Sequence, residues 1–175
     1  MPVPVDLAKR VHLDRVDDDM YEDLEYLGKL DRQFAVYRDA AYSTKRHEWI
    51  YVIDTTKDKM VVECPLTKRK RQGQVCYHPD YTKTDSFYRG RSLALRLYKF
   101  LIKAGTVLCT GDSQSVGSQK LWAKLARSRG IEVWSKRPHQ NWWEECFVSK
   151  FTNRLDTLEW DPYEVNCLVV AHKSS

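Results

Sequence analysis

The sequence predicts an α/β domain of the α+β kind: a mixed β-sheet of about six to seven strands with helices on both faces. Three observations predict it. Residues 49–78 hold three runs of strand character, rich in Val, Ile, Tyr and Cys and parted by short polar turns. Residues 93–104 switch to a helical period. From there helix and strand signals alternate as far as residue 135, a pattern that yields parallel pairing at a sheet centre.

Taken in order, residues 11–16 alternate apolar and polar and read as a first strand. Residues 17–30 read as a helix, with Met20, Leu24, Leu27 and Leu30 on one face and acids at the N-terminal end, where the dipole favours them. Residues 34–38 make a further short strand. The next three runs, 49–55, 60–66 and 74–78, are separated by Thr56-Lys57-Asp58 and by residues 67–73, and read as an antiparallel meander. A polar stretch, 80–86, leads into the helix. There Leu93, Leu97, Phe100, Leu101 and Ala104 form one stripe, Arg96, Lys99 and Lys103 face away, and Gly105 caps the end. Residues 106–110 read as a short buried strand. Residues 118–129 read as a second helix, with Leu121, Trp122, Leu125 and Ala126 inward and Gly130 closing it. Residues 131–135 are another strand, 136–163 are aromatic and irregular, and 166–172 supply the last strand. No repeat, low-complexity tract or linker divides the 175 residues, so a single domain is expected.

Composition narrows the class. With 42% hydrophobic and 30% charged residues, the chain can build a core and does not read as disordered. No run of about 18 apolar residues occurs, so no membrane contact is expected. The first ten residues lack an apolar signal core, which makes the cytoplasm the expected location. The five cysteines, Cys64, Cys76, Cys109, Cys146 and Cys167, are scattered, and neither they nor the five histidines have metal-ligand spacing. They are expected to be reduced, buried thiols, with no metal bound.

The net charge of +5 is unevenly spread: residues 14–31 carry eight acids against Arg15 and Lys29, whereas residues 65–105 carry ten Lys/Arg against Asp80 and Asp85. The second region is poised for an anion. Within it, Val75-Cys76-Tyr77-His78-Pro79 ends a strand, and Arg89-Gly90-Arg91-Ser92-Leu93-Ala94 opens a helix. A helix mouth offers unpaired N–H groups and partial positive charge to one point, the requirements of a pyrophosphate site. Small residues at 90, 92 and 94 let phosphate approach the backbone, and Arg89 and Arg91 add full charges. A basic helix start with no ligand is the plainer alternative. The segment has neither the Gly-Lys-Ser/Thr of a Walker loop nor the Gly-x-Gly-x-x-Gly of a dinucleotide fold.

Arg89-Gly90-Arg91-Ser92-Leu93-Ala94 resembles the Gln/Arg-x-x-Gly-x-Gly/Ala motif of the GNAT (Gcn5-related N-acetyltransferase) superfamily, with Ser92 where the family usually has Gly. Residues 106–112 resemble the family's next strand, and Ser118-Gln119-Lys120-Leu121-Trp122-Ala123-Lys124-Leu125 its second motif helix. The likeness covers residues 45–135, and the two ends only by element order. Asp112-Ser113-Gln114-Ser115 followed by Leu121-Trp122-x-Lys124-Leu125 is similar to GNAT-like proteins of bacteriophages, which implies a viral protein acting in a host cytoplasm.

The resemblance implies that acetyl-CoA binds with its pyrophosphate on Arg89, Gly90, Arg91, Ser92, Leu93 and Ala94, and its pantetheine arm along the backbone of Val75, Cys76 and Tyr77. It places Trp122 where many family members carry a Tyr that protonates the leaving thiolate; an indole donates a hydrogen bond but delivers no proton. Glu63, His78 and Asp112 are the candidate general bases. Each has a plainer alternative: a solvent-facing strand residue, a strand cap before Pro79, and an N-cap or Asx turn. The basic run Lys68-Arg69-Lys70-Arg71 reads as a solvated hairpin turn, or as a grip on nucleic acid, on an acidic protein surface or on the phosphates of CoA. Trp142, Trp143 and Trp160 read as core or a homodimer face, or as an acceptor or base-stacking surface. The expected function is transfer of an acetyl group from acetyl-CoA to an amine: a protein lysine, a small amine or a modified nucleobase. The alternative is a catalytically inactive GNAT-fold protein that grips nucleic acid or a host protein through its basic surface.

Overall fold

Strand-forming residues dominate 34–66, and there the chain runs back and forth as the alternation predicts. A computed structural model describes residues 13–71, 73–110, 115–136, 141–146, 148, 155 and 168–174. Two compact units make up the chain: residues 1–68 with 80–97, and residues 69–79 with 98–175.

The first unit is an antiparallel meander of β1 (Leu24–Lys29), β2 (Phe34–Asp39), β3 (His47–Asp54) and the long β4 (Lys59–Arg71), whose last three residues belong to the second unit. The short β6 (Lys83–Thr84) pairs with β4 at Val62 and Glu63. β2 and β3 bury nearly continuous runs, Phe34 to Val36 and Ile50 to Ile53. Val16, Tyr51, Ile53 and Met60 form a core cluster that Leu13, Met20, Tyr21, Leu24, Tyr37 and Trp49 complete.

Two early expectations fail in this unit. The helix over 17–30 shrinks to α1 (Asp18–Glu22), capped by Asp17 accepting the Met20 N–H, and the chain then enters β1. Like charges at i and i+4 (Asp18 with Glu22, Asp19 with Asp23) and a glycine at 28 weaken a long helix. Pairing with β2 satisfies the backbone instead and sets Tyr26 edge-on to Tyr37, 5.5 Å between ring centres. Within the described part of residues 11–16 there is no strand, only a single bridge between Arg15 and Lys59. A third expectation shifts: β4 runs through Lys68, Arg69, Lys70 and Arg71, so this basic run is strand and not a hairpin turn. Lys68 donates its N–H to the Arg46 carbonyl at 2.7 Å, which prolongs the pairing.

The second unit is a mixed sheet. β5 (Gln74–Pro79) lies parallel to β7 (Leu108–Cys109), with Tyr77 opposite Leu108. The strand expected over 106–110 is thus only two residues long. β10 (Leu168–Lys173) runs antiparallel to both β7 and β8 (Ile131–Lys136), so β7 and β8 point the same way with β10 between them. β9 (Glu144–Glu145) follows at the edge of β8. α3 (Val116–Ala126) lies against β8 and buries Trp122, Ala123 and Leu125. α2 (Leu93–Lys103) contributes its first five residues to one unit and the rest to the other.

Cys76 and Cys109 are joined by a disulfide between β5 and β7, their Cα atoms 5.8 Å apart, which corrects the expectation of uniformly reduced cysteines. Neighbouring strands bring two buried thiols within bonding reach, a proximity that a spacing of 33 residues does not announce. Cys64 and Cys146 are free and buried. Burial pushes the Cys64 thiol up to about 12, so it is no nucleophile at neutral pH.

Candidate functional site

The loop between the 3-10 turn Ser86–Tyr88 and α2 is the candidate site, and it lies wholly in the first unit. Gly90 has φ +83°, a conformation that favours glycine, and a Cβ there would meet nothing within 4 Å. Ser92 is also left-handed, at φ 55°. The first helical bond of α2 is Arg96 N–H to the Ser92 carbonyl, 2.9 Å. Among the described residues, the N–H groups of Gly90, Arg91, Ser92, Leu93, Ala94 and Leu95 have no acceptor within the protein. Arg89, Gly90, Arg91 and Ser92 are exposed. A row of free donors at a helix mouth, flanked by two guanidinium groups, can hold a diphosphate.

Two buried carboxylates shape this loop. Asp85 is fully buried, accepts the N–H of Phe87 at 3.0 Å and of Leu13 at 3.1 Å, and pairs with Lys59 Nζ at 3.1 Å. Burial pushes its carboxyl up, but these donors outweigh that and hold it below the usual carboxylate range. Asp54, also fully buried, accepts from the Thr56 hydroxyl (2.6 Å) and N–H (3.0 Å), from Gln33 Nε2 (2.8 Å) and from the Tyr88 hydroxyl (2.8 Å). Its burial too is outweighed, and the carboxyl is held low. Burial and the Asp54 bond raise the Tyr88 hydroxyl to about 12, so Tyr88 serves as a donor to Asp54 and not as an acid. The Tyr88 ring carries Arg91 at 5.2 Å and Lys57 at 5.8 Å from its centre. Arg96 is held by Asp31 at 2.5 Å and lies over Phe34.

Sequence reasoning missed Asp54, Lys57, Asp85 and Tyr88. The signal for Asp54 was present: an Asp two residues before Thr56 at a strand end is an Asx turn in waiting. Tyr88 had no periodic signal, because its ring is buried from a three-residue turn.

The remaining candidates are spread. Glu63 lies between Tyr51 on β3 and Lys83 on β6, accepts the Tyr81 hydroxyl and has Lys83 Nζ at 3.5 Å. It is therefore already engaged by Tyr81 and Lys83. Val75, Cys76, Tyr77 and His78 stand on β5 in the second unit. Of these, Val75 is exposed, Cys76 is buried in its disulfide, and Tyr77 donates its N–H to the Val107 carbonyl at 2.7 Å. Trp122 is 2% exposed on α3, packed as a core residue. Asp112 and Trp160 lie outside the described residues. Trp142 is 59% exposed, and Trp143 is half-buried beneath Lys136. Among the described residues no cluster of His, Cys, Asp or Glu is placed to hold a metal, and no helix is long and apolar enough to cross a membrane.

Fold and site together define an α+β protein with a mixed sheet and an open, cationic helix-mouth loop. No protein-family model matches the chain, and no curated protein matches it.

Proposed function

We propose that the protein is a GNAT-type N-acetyltransferase that binds acetyl-CoA with its pyrophosphate on the backbone of residues 89–94. The observation that carries this reading is the row of N–H groups at 90–95 with no internal acceptor, beside Arg89 and Arg91. Had those amides been used within the fold, no diphosphate could sit there. For the pantetheine arm the resemblance assigns Val75, Cys76 and Tyr77, of which the Tyr77 N–H is already donated to Val107.

In the reaction, the acceptor amine attacks the thioester carbonyl, a C–N bond forms as the C–S bond breaks, and the sulfur leaves as thiolate. The ammonium proton passes to a base, for which Glu63, His78 and Asp112 stay the candidates, and the thiolate takes a proton from solvent. Trp122 supplies none, being an indole with 2% exposure. That same burial supports a second reading, a GNAT-fold protein without turnover that uses its basic surface, Lys68 and Lys70 among it, to grip nucleic acid or an acidic protein.

The test runs in two stages. Thermal shift with saturating CoA is expected to stabilise the protein, and no shift would leave the acetyltransferase reading without its cosubstrate. Mass shift of amine acceptors with acetyl-CoA then separates the two: transfer supports the enzyme, and stoichiometric CoA binding without transfer supports the inactive protein.

A further inference from the structure

The amides at 90–95 account for one diphosphate, but they leave unexplained why two cations are gathered on the ring just before them. Lys57 comes from the turn between β3 and β4, far from Arg91 in sequence, yet both stand on the Tyr88 ring, 5.8 and 5.2 Å from its centre. The buried carboxylate of Asp54 is the reason. Two of its bonds, from the Thr56 N–H and hydroxyl, fix the turn that presents Lys57, and a third, from the Tyr88 hydroxyl, fixes the ring that both cations approach. Lys57 N–H itself closes the turn onto the Asp54 carbonyl at 3.2 Å. One fully buried side chain thus fixes both the turn that carries Lys57 and the ring that Lys57 and Arg91 approach, inside a single unit. Neither cation has a carboxylate partner among the described residues. Charge held beside free amides, unpaired and exposed, is the arrangement that recognises a phosphate monoester.

We propose that Lys57 and Arg91, gathered on Tyr88 by Asp54, form a subsite for a second phosphate of the nucleotide, the monoester on the ribose of CoA. The subsite rests on the acyl-CoA reading above, and deepens it. CoA carries the diphosphate and the monoester on opposite sides of one ribose, so a cation just beyond a diphosphate loop is placed to read the monoester. The basic run at 68–71 is then not needed for CoA.

Isothermal titration with CoA and with dephospho-CoA, which lacks only the ribose monoester, tests the subsite. The wild-type protein is expected to prefer CoA by about tenfold, a preference that shrinks as salt is raised. Lys57→Ala should bring the two affinities within about twofold while leaving dephospho-CoA affinity unchanged, and Lys57→Arg should restore the gap. Asp54→Asn, checked for folding by circular dichroism, should also close the gap, a readout that a merely structural role would not move selectively. Equal affinity of the wild-type protein for both ligands overturns the subsite but leaves the acyl-CoA reading standing. Binding of neither ligand overturns both. A preference that survives Lys57→Ala but disappears in Lys68→Ala or Lys70→Ala moves the monoester to the basic strand and also sinks the subsite.

Discussion

The loop at residues 89–94 in one unit and the β5–β7 pair in the other are the two places where the GNAT resemblance would have one cofactor touch backbone, and they differ in what the backbone has left to give. Among the described residues, the N–H groups at 90–95 have no acceptor, in a stretch that holds two left-handed residues and a helix start. On β5 the Tyr77 N–H goes to Val107 and Cys76 is covalently held to Cys109. Irregular backbone keeps its donors for a ligand, while regular strand spends them on its neighbour. The loop's openness depends in turn on buried carboxylates that hold it from beneath.

Removing one of those carboxylates should have the largest effect. Asp85→Ala deletes the cap of the 3-10 turn and takes the carboxylate from Lys59, whose side chain is 22% exposed and keeps its bond to the Leu13 carbonyl. A loss of about 3 to 5 kcal/mol is expected, toward the low end because water reaches Lys59. Urea unfolding measures it, and a loss below 1 kcal/mol would show that the loop does not need its carboxylate. Acid should act on the same groups. Asp54 and Asp85 titrate lower in the fold than in the unfolded chain, so the folded state binds fewer protons. Their contribution is complete above the ordinary carboxyl value of 3.8 and fades as pH falls below it. Asp85→Asn should flatten that acid limb.

The closed region offers the next largest effect. A cross-link spanning 33 residues, Cys76 to Cys109, stabilises by about 3 to 4 kcal/mol in the chain-entropy account. Cys76→Ser, or reductant on the wild-type protein, should lower the unfolding free energy by about that amount, and a non-reduced peptide map should contain the 76–109 link. Absence of the link, with no response to reductant, would mean that the two regions differ less than the geometry indicates.

How far these features were legible in the sequence follows from what each depends on. The meander over β2 to β5, the stripe of α2 and the glycine-bearing loop were legible, since alternation, helical period and small residues are local. The long helix expected at 17–30 was a misreading: its leucines kept helical spacing, but the unpaired edge of β2 lies outside any local window. The disulfide was invisible for the same reason. Asp54 and Tyr88 were missed because buried polar bonds pair residues 34 apart, and only the turn at Asp54 was signalled.

Charge reversal in the open loop comes third. Arg91→Glu removes a guanidinium from beside the free amides and sets a carboxylate there in its place. CoA affinity should fall about 30-fold or more, equivalent to about 2 kcal/mol, and stabilisation by CoA in thermal shift should vanish. The variant should keep the wild-type circular dichroism spectrum, because Arg91 is exposed and lies over the ring of Tyr88 without a carboxylate partner among the described residues. Unchanged affinity would put the phosphates elsewhere.

The smallest effect tests the loop's backbone itself. Ser92 holds φ 55°, where an L side chain is disfavoured by about 1 to 2 kcal/mol, and its hydroxyl has no recorded partner among the described residues to offset that. Glycine at 92 would relieve the strain but add freedom to the unfolded chain, costing about 0.4 to 1 kcal/mol. Ser92→Gly should therefore be stabilising by about 0.5 to 1 kcal/mol, with CoA affinity held or improved, because glycine keeps the left-handed turn on which the loop's backbone depends. Ser92→Val, β-branched at the same φ, should destabilise the protein and weaken CoA binding together. If glycine instead lowered CoA affinity at unchanged stability, the Ser92 hydroxyl would be a ligand contact in its own right, and the openness of the loop would belong to side chain as much as to backbone.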